Sequence, residues 1–175
     1  MVQRPVRELT KLRGSRQQAS NLSFDEANAW LANHKTKGEL FELQADFEVI
    51  TNAGNFTISM GTAPGEQTVV RRSVDGRLSL DRTRSGKTDF HPKFPGVHEA
   101  MLPSRNGHVT LHLFLDTSSI EVFGNDGEVV LTDLILASSN ARNLTLTSNG
   151  EAPRVRHLDL WELKPAWQGK GPSQR

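Results

Sequence analysis

The sequence of 175 residues contains no cysteine and no tyrosine. The absence of cysteine excludes disulfides, thiolate nucleophiles and zinc–thiolate sites. No apolar run approaches the roughly 18 residues that a membrane-spanning helix needs. The formal net charge is only +1, so no excess of one sign indicates nucleic acid or an anionic membrane as a partner. These absences predict a soluble globular protein that binds neither nucleic acid nor membrane.

Common catalytic and nucleotide-binding motifs are also missing. The sequence has no G-x-S-x-G elbow, no P-loop, no G-x-G-x-x-G and no H-E-x-x-H. His108 and His112 lie four residues apart on a predicted strand, which separates their side chains by about 13 Å and prevents them from sharing a metal. We therefore predict no metal and no cofactor. The six histidines are predicted to lie at the surface or at sheet edges: His34, His91, His98, His108, His112 and His157.

Acidic residues do not single out a glycosidase pair. Cleavage of a glycoside needs two carboxyl groups that face each other across a cleft. Asp46 and Glu48 share the polar face of a predicted strand, where carboxylates are ordinarily solvated. Glu121 stands between two apolar residues, so it is either a ligand-binding residue or the partner of an arginine such as Arg82. No residue is predicted to be catalytic.

What the sequence does contain is a repeated alternation of apolar and polar residues. From Phe41 to Val49 every second residue is apolar, which predicts a strand with one face in the core. Asp75-Gly76 predicts a hairpin turn, and similar turn signals recur about every 8–12 residues. The predicted fold class is therefore all-β: an antiparallel β-sandwich of two sheets, concanavalin- or lectin-like, with about 10–12 strands and a short N-terminal helix or linker.

Three segments follow from this pattern. Residues 1–18 are predicted to be a linker in which Pro5 starts about two helical turns, ended by Gly14 and Ser15. Residues 19–164 are predicted to form the sandwich, within which residues 24–34 are either a loop or a short helix. Residues 165–175 are predicted to be a flexible tail.

The sequence remains compatible with a carbohydrate ligand, because sugar sites combine an apolar ring with a few polar groups. Trp30 and Trp167 lie in irregular segments and are candidate platforms, whereas Trp161 is expected to pack in the core. Residues 81–87 form a polar stretch with three cations, which either binds a ligand or is pinned by an Asp81–Arg82 turn network. The candidate carbohydrate-binding residues are Trp30, Arg82, Arg84, Glu121 and Trp167.

Several segments resemble one family in the right order along nearly the whole chain. LFLDTSSIEVFGNDGEVVLTDLIL, residues 113–136, resembles the D-x-S-S-x-E-x-F…N-D-G…L-T segment of glycoside hydrolase family 32, and RLSLDRTRSG, residues 77–86, resembles its L-x-x-D-R-x-x-S-G hairpin. The segment that leaves the catalytic domain of that family resembles PVRELTKLR, residues 5–13. Its first strand resembles GELFELQADF, residues 38–47, and its closing strand resembles LDLWEL, residues 158–163. The residues expected to maintain the hairpin and turn geometry of these segments are Asp81, Asp116, Ser118, Ser119, Asn125, Asp126 and Gly127.

The resemblance is to the C-terminal β-sandwich of levanases, invertases and exo-inulinases, and bacterial levanases are the most similar group. It implies that the catalytic aspartates and glutamate belong to a five-bladed propeller, whose motifs this sequence lacks. Two departures from the family pattern are Thr117, where an arginine is frequent, and Ala137, where a proline is frequent. They put in doubt an interaction of that arginine across a domain or subunit boundary.

The expected function is therefore a non-catalytic module that supports a propeller domain, contributes oligomer contacts, including a homodimer, or binds fructan. The alternative is a free-standing fructan-binding module. The expected partners are the propeller catalytic domain and a fructan such as levan or inulin. If the parent protein is a levanase, an extracellular location is favoured.

Overall fold

The computed structural model describes residues 2–34, 40–49, 55–138 and 143–166. In these residues eleven strands form two antiparallel sheets, which confirms the predicted all-β sandwich. The strands are β1 (Arg13–Leu22), β2 (Phe41–Glu48), β3 (Phe56–Ala63), β4 (Glu66–Arg72), β5 (Arg77–Arg84), β6 (Val97–Met101), β7 (His108–Leu115), β8 (Ser119–Gly124), β9 (Val129–Leu134), β10 (Asn143–Thr147) and β11 (Arg154–Leu163).

The six-stranded sheet has the spatial order β1-β11-β2-β7-β8-β9, and the five-stranded sheet has the order β10-β3-β4-β5-β6. β2 and β7 are central strands, and their register places Leu43 opposite both Leu113 and Leu160. Asp75-Gly76 lies in the turn between β4 and β5, where Gly76 has a φ of +82°. The hairpin signal in the sequence therefore located this turn correctly.

The core lies between the two sheets and is rich in phenylalanine and leucine. Phe41, Leu43, Ala45 and Phe47 alternate along β2 and are all buried, as the period of two predicted. Phe47 stacks on Phe56 of the other sheet with ring centroids 4.1 Å apart. Each fully buried side chain of this size contributes about 1.5–3 kcal/mol through burial.

One α-helix, α1 (Phe24–Asn33), covers an end of the sandwich. Ser23 and Glu26 form a capping box at its N-terminus, in which each side chain bonds the backbone N–H of the other residue. Phe24, Ala27 and Leu31 recur at helical spacing and are buried. The structure thus resolves the predicted choice between loop and helix in favour of the helix.

The N-terminal boundary differs from the prediction. A 3₁₀ helix spans Arg7–Leu12, and β1 begins directly at Arg13, so residues 13–18 belong to the sheet and not to a linker. β1 has no apolar alternation because its side chains lie at a sheet edge, where the strand is held by backbone pairing with β11. At the other end, β11 stops at Leu163, and residues 167–175 of the predicted tail lie outside the described residues.

Asn28 fixes α1 to the edge strand β10. Its side-chain Nδ2 donates to the carbonyl of Leu146 at 2.9 Å, and its Oδ1 accepts from the Leu146 N–H at 2.7 Å. Asn28→Ala should lower the free energy of unfolding by about 2 kcal/mol, because two hydrogen bonds are lost. Urea denaturation followed by circular dichroism measures this loss. Asn33→Ala, at the exposed end of the same helix, is the matched control and should be neutral; equal losses in both variants would contradict this role of Asn28.

Candidate functional site: the outer face of the six-stranded sheet

The outer face of the six-stranded sheet carries a network of charged and aromatic side chains. Alternation along β2 directs Glu42, Gln44 and Asp46 to this face, opposite the core residues of the same strand. The register brings Gln44 opposite Asp159 of β11 and His112 of β7. Charged side chains from three neighbouring strands therefore meet on one surface.

Glu42 lies at the centre of the network and is completely buried. Arg13 donates two hydrogen bonds to its carboxylate, from Nε at 2.7 Å and from a terminal nitrogen at 2.5 Å. Nε2 of His112 lies 2.6 Å from Oε1. Burial raises the pKa of Glu42, but the hydrogen bonds and charges of Arg13 and His112 outweigh it, so the net pKa lies below the ordinary value. Glu42 is thus held in its ionised form at neutral pH.

Asp159 repeats this arrangement one strand away. Arg16 binds its carboxylate with two bonds of 2.8 Å, and Nε2 of His157 lies 2.8 Å from Oδ2. Burial raises the pKa of Asp159, whereas the bonds from Arg16 and His157 lower it, and the net pKa is again below the ordinary value. Bidentate arginine–carboxylate pairs of this kind fix geometry as well as charge.

Trp161 belongs to this face and not to the core between the sheets, contrary to the prediction. Its register partner is Glu42. The guanidinium of Arg13 lies 4.2 Å from the ring centroid, and that of Arg16 lies 5.5 Å from it. The ring is buried because two arginines cover it, and the apolar neighbours of Trp161 in sequence did not reveal this.

The N-terminal segment, defined as residues 2–12, crosses the same face. The Gln3 N–H donates to the carbonyl of Gly127 at 3.0 Å, Arg4 pairs with Asp126, and the Lys164 N–H donates to the carbonyl of Leu12 at 2.8 Å. The segment is therefore attached at both ends to the sandwich.

Two clefts lie between the N-terminal segment and the sheet. The first, of about 410 Å³, is lined by Pro5 together with Gln44, His112, Phe123 and His157, among others. The second, of about 400 Å³, is lined mainly by apolar side chains, including Leu9, Leu12, Phe114 and Leu163. The face thus offers two depressions, both bounded by the chain that leads into the domain.

Comparison with known proteins identifies the family. The family described as "Glycosyl hydrolases family 32 C terminal" matches residues 8–162. The chain belongs to glycoside hydrolase family 32. A levanase from Bacillus subtilis is 36% identical over 172 residues, covering 95% of this chain and 25% of that protein. An extracellular exo-inulinase from Aspergillus awamori is 32% identical over 171 residues, covering 95% of this chain and 32% of that protein.

Solved structures agree with this assignment. The crystal structure of the Aspergillus awamori exo-inulinase superposes with a TM-score of 0.75 at 29% identity, covering 95% of this chain and 33% of that one. A sucrose-6-phosphate hydrolase from Lactobacillus gasseri has the same fold, with a TM-score of 0.69 at 23% identity. The chain spans only a quarter to a third of the lengths of these relatives.

The four described residues among the predicted carbohydrate-binding residues of this family 32 domain lie on three separate elements. Trp30 lies on α1, where it packs against the core and stacks on His34 at 4.5 Å. Glu121 lies on the outer face of the six-stranded sheet and borders the second cleft. Arg82 and Arg84 lie on β5 of the other sheet. Trp167 lies outside the described residues.

Arg82 has a different partner from the one considered for it. Its Nε lies 3.5 Å from Asp133 of β9, and no ion pair with Glu121 exists in the described part of the chain. Asp81 accepts hydrogen bonds from the N–H and hydroxyl of Thr83 at 2.8 and 2.7 Å, so the turn network that it makes does not include Arg82. An ion pair between β5 and β9 joins two separate sheets, which sequence spacing cannot indicate.

The remaining motif residues hold turns around the six-stranded sheet. Asp116 accepts a hydrogen bond from the Thr117 N–H at 2.6 Å, and the carbonyls of Ser118 and Ser119 accept from Ile135 and Asp116. The Asn125 side chain bonds the Thr110 N–H and the Pro103 carbonyl at 3.2 and 2.7 Å. Asn125, Asp126 and Gly127 all have positive φ, and the predicted turn is a distorted 3₁₀ helix.

The residues that build the outer face carry no motif that marks them in the sequence. Glu42, Arg13, Arg16 and Asp159 had no recognised role, and His112 was expected to be only a surface or edge residue. A usable signal was the recurrence of charged residues on the polar side of central strands. Among the described residues, no cluster of three or more metal-ligating side chains exists, and no helix has the length and apolarity needed to cross a bilayer.

The lowered pKa values of Glu42 and Asp159 give a pH dependence with a definite sign. A carboxyl whose pKa is lower in the folded state stabilises the fold above its unfolded pKa, and this stability is lost as the pH falls through its folded pKa. We expect the free energy of unfolding to decrease below about pH 4.5. Glu42→Gln should cost about 2–3 kcal/mol at pH 7 and make the acid-induced decrease shallower. Urea denaturation from pH 7 to pH 3 measures both effects.

Glu48→Gln is the control for this experiment, because Glu48 is a half-exposed carboxylate on the same strand whose ion pair with Arg156 is long, at 3.5 Å. It should retain the wild-type stability at pH 7 and the wild-type decrease in acid. If the free energy of unfolding of Glu42→Gln also fell in acid as steeply as that of the wild type, the buried ion pairs would not determine the acid sensitivity.

Gly127 tests how the N-terminal segment is held. A Cβ at Gly127 would lie 1.8 Å from the carbonyl oxygen of Gln3, whereas a Cβ at Gly65 meets nothing within 4 Å, although both glycines have positive φ. Gly65→Ala should cost about 1 kcal/mol from backbone strain alone. Gly127→Ala should cost more and release the segment, so trypsin should cleave faster after Arg7 and Lys11. Equal cleavage rates in the two variants would mean that contact with Gly127 does not hold the segment.

Proposed function

We propose that this chain is the non-catalytic C-terminal module of a fructan- or sucrose-cleaving hydrolase and that it supports a propeller catalytic domain through the outer face. The observation that carries the proposal is the position of the N-terminal segment. The family match begins at Glu8, and the chain that precedes the sandwich lies on the outer face next to Gly127. A domain attached at that end therefore adjoins this face.

The side chains of the N-terminal segment support a docking role. Leu9 and Leu12 line the second cleft, but Val2 and Val6 are 55% and 62% exposed. Exposed apolar residues beside a cleft are typical of a surface that another domain covers. A free-standing fructan-binding module, the alternative function, would have no need of them.

The carboxyl groups of the described residues support a non-catalytic role. Glycoside cleavage needs a general acid whose pKa is raised. Glu42 and Asp159 instead have lowered pKa values and are held by arginines, and Glu26 and Asp75 have lowered pKa values through local hydrogen bonds. The pKa values of these groups are thus shifted in the direction opposite to that required of a general acid.

Hydrolysis by the isolated chain is the first test. Reducing-sugar release from sucrose, levan and inulin should stay at the level of a buffer blank. Release above the blank would overturn the non-catalytic assignment.

Docking is tested in a chimera in which this chain replaces the aligned segment of the Bacillus subtilis levanase. Val6→Asp should leave the melting temperature of the isolated chain unchanged, because Val6 is already exposed. In the chimera it should lower the melting temperature, because a charge would be buried between the domains. The control is Val74→Asp, which alters an equally exposed valine, 56% exposed, in the turn between β4 and β5.

Differential scanning calorimetry of both variants, alone and in the chimera, gives the result. The proposal expects a loss confined to Val6→Asp in the chimera. Identical melting temperatures for the two chimeric variants would contradict docking through the N-terminal segment.

A further inference from the structure

At the open edge of the sandwich, far from the N-terminal segment in sequence, the end of β5 meets β9. Gly86 forms a bridge with Leu136, and the Lys87 N–H donates to the Leu136 carbonyl at 2.9 Å. A Cβ at Gly86 would lie 2.0 Å from the Leu136 carbonyl oxygen, so glycine is required for this approach. The D-R-x-x-S-G sequence, residues 81–86, therefore joins the two sheets here and starts the loop that leads to β6.

Arg82 is the central residue of this edge, and its guanidinium is incompletely bonded. The side chain is 15% exposed and lies over the Phe94 ring, with 4.3 Å between the guanidinium carbon and the ring centroid. Its only polar contacts within the described residues are Asp133 and the Leu134 carbonyl, each at 3.5 Å, and its buried Nε makes no hydrogen bond there. Arg13 and Arg16, by contrast, bind carboxylates at 2.5–2.8 Å.

Asp133 and His98 complete the polar part of the edge. Asp133 points inward from β9 and is buried, and Nδ1 of the half-exposed His98 lies 2.9 Å from its carboxylate. A second buried donor without a partner in the described chain is the hydroxyl of Ser85, which is only 2% exposed. The Ser85 N–H donates to the Arg82 carbonyl at 3.2 Å, so both incompletely bonded groups belong to one turn.

An aromatic ring lies beside these polar groups. Phe90, in the loop between β5 and β6, is 54% exposed, and its ring centroid lies 4.5 Å from that of Phe94. Phe94 in turn lies under Arg82. An exposed ring, a guanidinium with free donors, an imidazole and a carboxylate thus occupy one surface.

We propose that Arg82, His98, Asp133 and Phe90 form a binding site for one sugar unit, with Phe90 against the apolar face of the ring and the polar groups on its hydroxyls. Sugar sites combine these two elements, a ring platform and a few fixed polar groups. Arg82 donates to a hydroxyl oxygen, Asp133 accepts from a hydroxyl, and the ring nitrogen of His98 that does not face Asp133 is left for a further hydroxyl. The identification of the sugar as a furanose unit of a β-fructan rests on the proposed function. The proposal that a sugar binds at this site does not rest on it.

The carboxylate favours a neutral ligand over an anion. Asp133 lies close to Arg82 and His98, so the charge of the Arg82 guanidinium is already compensated within the site. A bound phosphate or sulfate would be repelled by that buried carboxylate. Sugar hydroxyls, which both donate and accept hydrogen bonds, can satisfy the donors of Arg82 and the acceptors of Asp133 together.

The site is tested by NMR titration of the whole chain with 1-kestose and with a levan-derived trisaccharide, up to millimolar concentrations. The imidazole signals of the six histidines serve as probes, and His98→Gln assigns that of His98. Binding at the proposed site should shift the His98 signal in a saturable manner and leave those of His108, His112 and His157 unchanged, since these lie on the outer face. Inorganic phosphate should cause no saturable shift.

Two matched pairs of variants identify the contacts. Phe90→Ala should weaken binding about tenfold, an effect expected for the loss of one ring contact, whereas Val97→Ala, at a similarly exposed residue nearby, should not. Arg82→Gln should abolish the His98 shift, whereas Arg84→Gln should retain it. Thermal melting of each variant separates loss of binding from loss of folding.

Three outcomes would overturn the proposal: no saturable His98 shift with either sugar, shifts confined to the outer-face histidines, or saturation by phosphate alone. Because the titration uses the isolated chain, none of these outcomes depends on docking to a catalytic domain. A failed docking test with a saturable His98 shift would leave a sugar-binding module, and the reverse result would leave a purely supporting one.

Discussion

The buried carboxylate of Glu42 is the constraint on which the outer face depends. An ionised group that is removed from water must be fully paired, and Arg13 and His112 supply that pairing from β1 and β7. The same arginine covers Trp161 and stands directly after the 3₁₀ helix that ends the N-terminal segment. The Arg13–Glu42–His112 network therefore joins three strands and fixes the point from which the N-terminal segment leaves the sheet.

The sequence predicted those parts of the fold that depend on local periodicity. Alternation identified strands such as β2 and β7, and Asp75-Gly76 located a hairpin. β1 was missed because an edge strand needs no apolar stripe, and Trp161 was misplaced because arginines from another strand bury it. The candidate site was predicted less well, since pairs such as Arg16–Asp159 and Arg82–Asp133 join residues distant in sequence. Motif similarity to family 32 gave the identity but not these contacts.

The two surfaces of the domain suit different partners. On the outer face, Glu42 and Asp159 are paired with neighbouring side chains, and the N-terminal segment exposes apolar side chains such as Val2 and Val6, which favours a protein surface. At the edge between β5 and β9, the polar groups are incompletely bonded and one ring is exposed, which favours a small polar ligand. A module with both would hold a catalytic domain on one side and a sugar chain on the other.

The central claim, that the outer face adjoins a catalytic domain, is tested most directly by lysine crosslinking and mass spectrometry in the levanase chimera. Lys11 lies in the N-terminal segment and Lys164 lies beside it, whereas Lys87 and Lys93 lie in the loop between β5 and β6. All four are exposed. We predict interdomain crosslinks from Lys11 and Lys164 and none from Lys87 or Lys93. Crosslinks from Lys87 and Lys93 alone would contradict the account, because the catalytic domain would then cover the opposite edge of the sandwich.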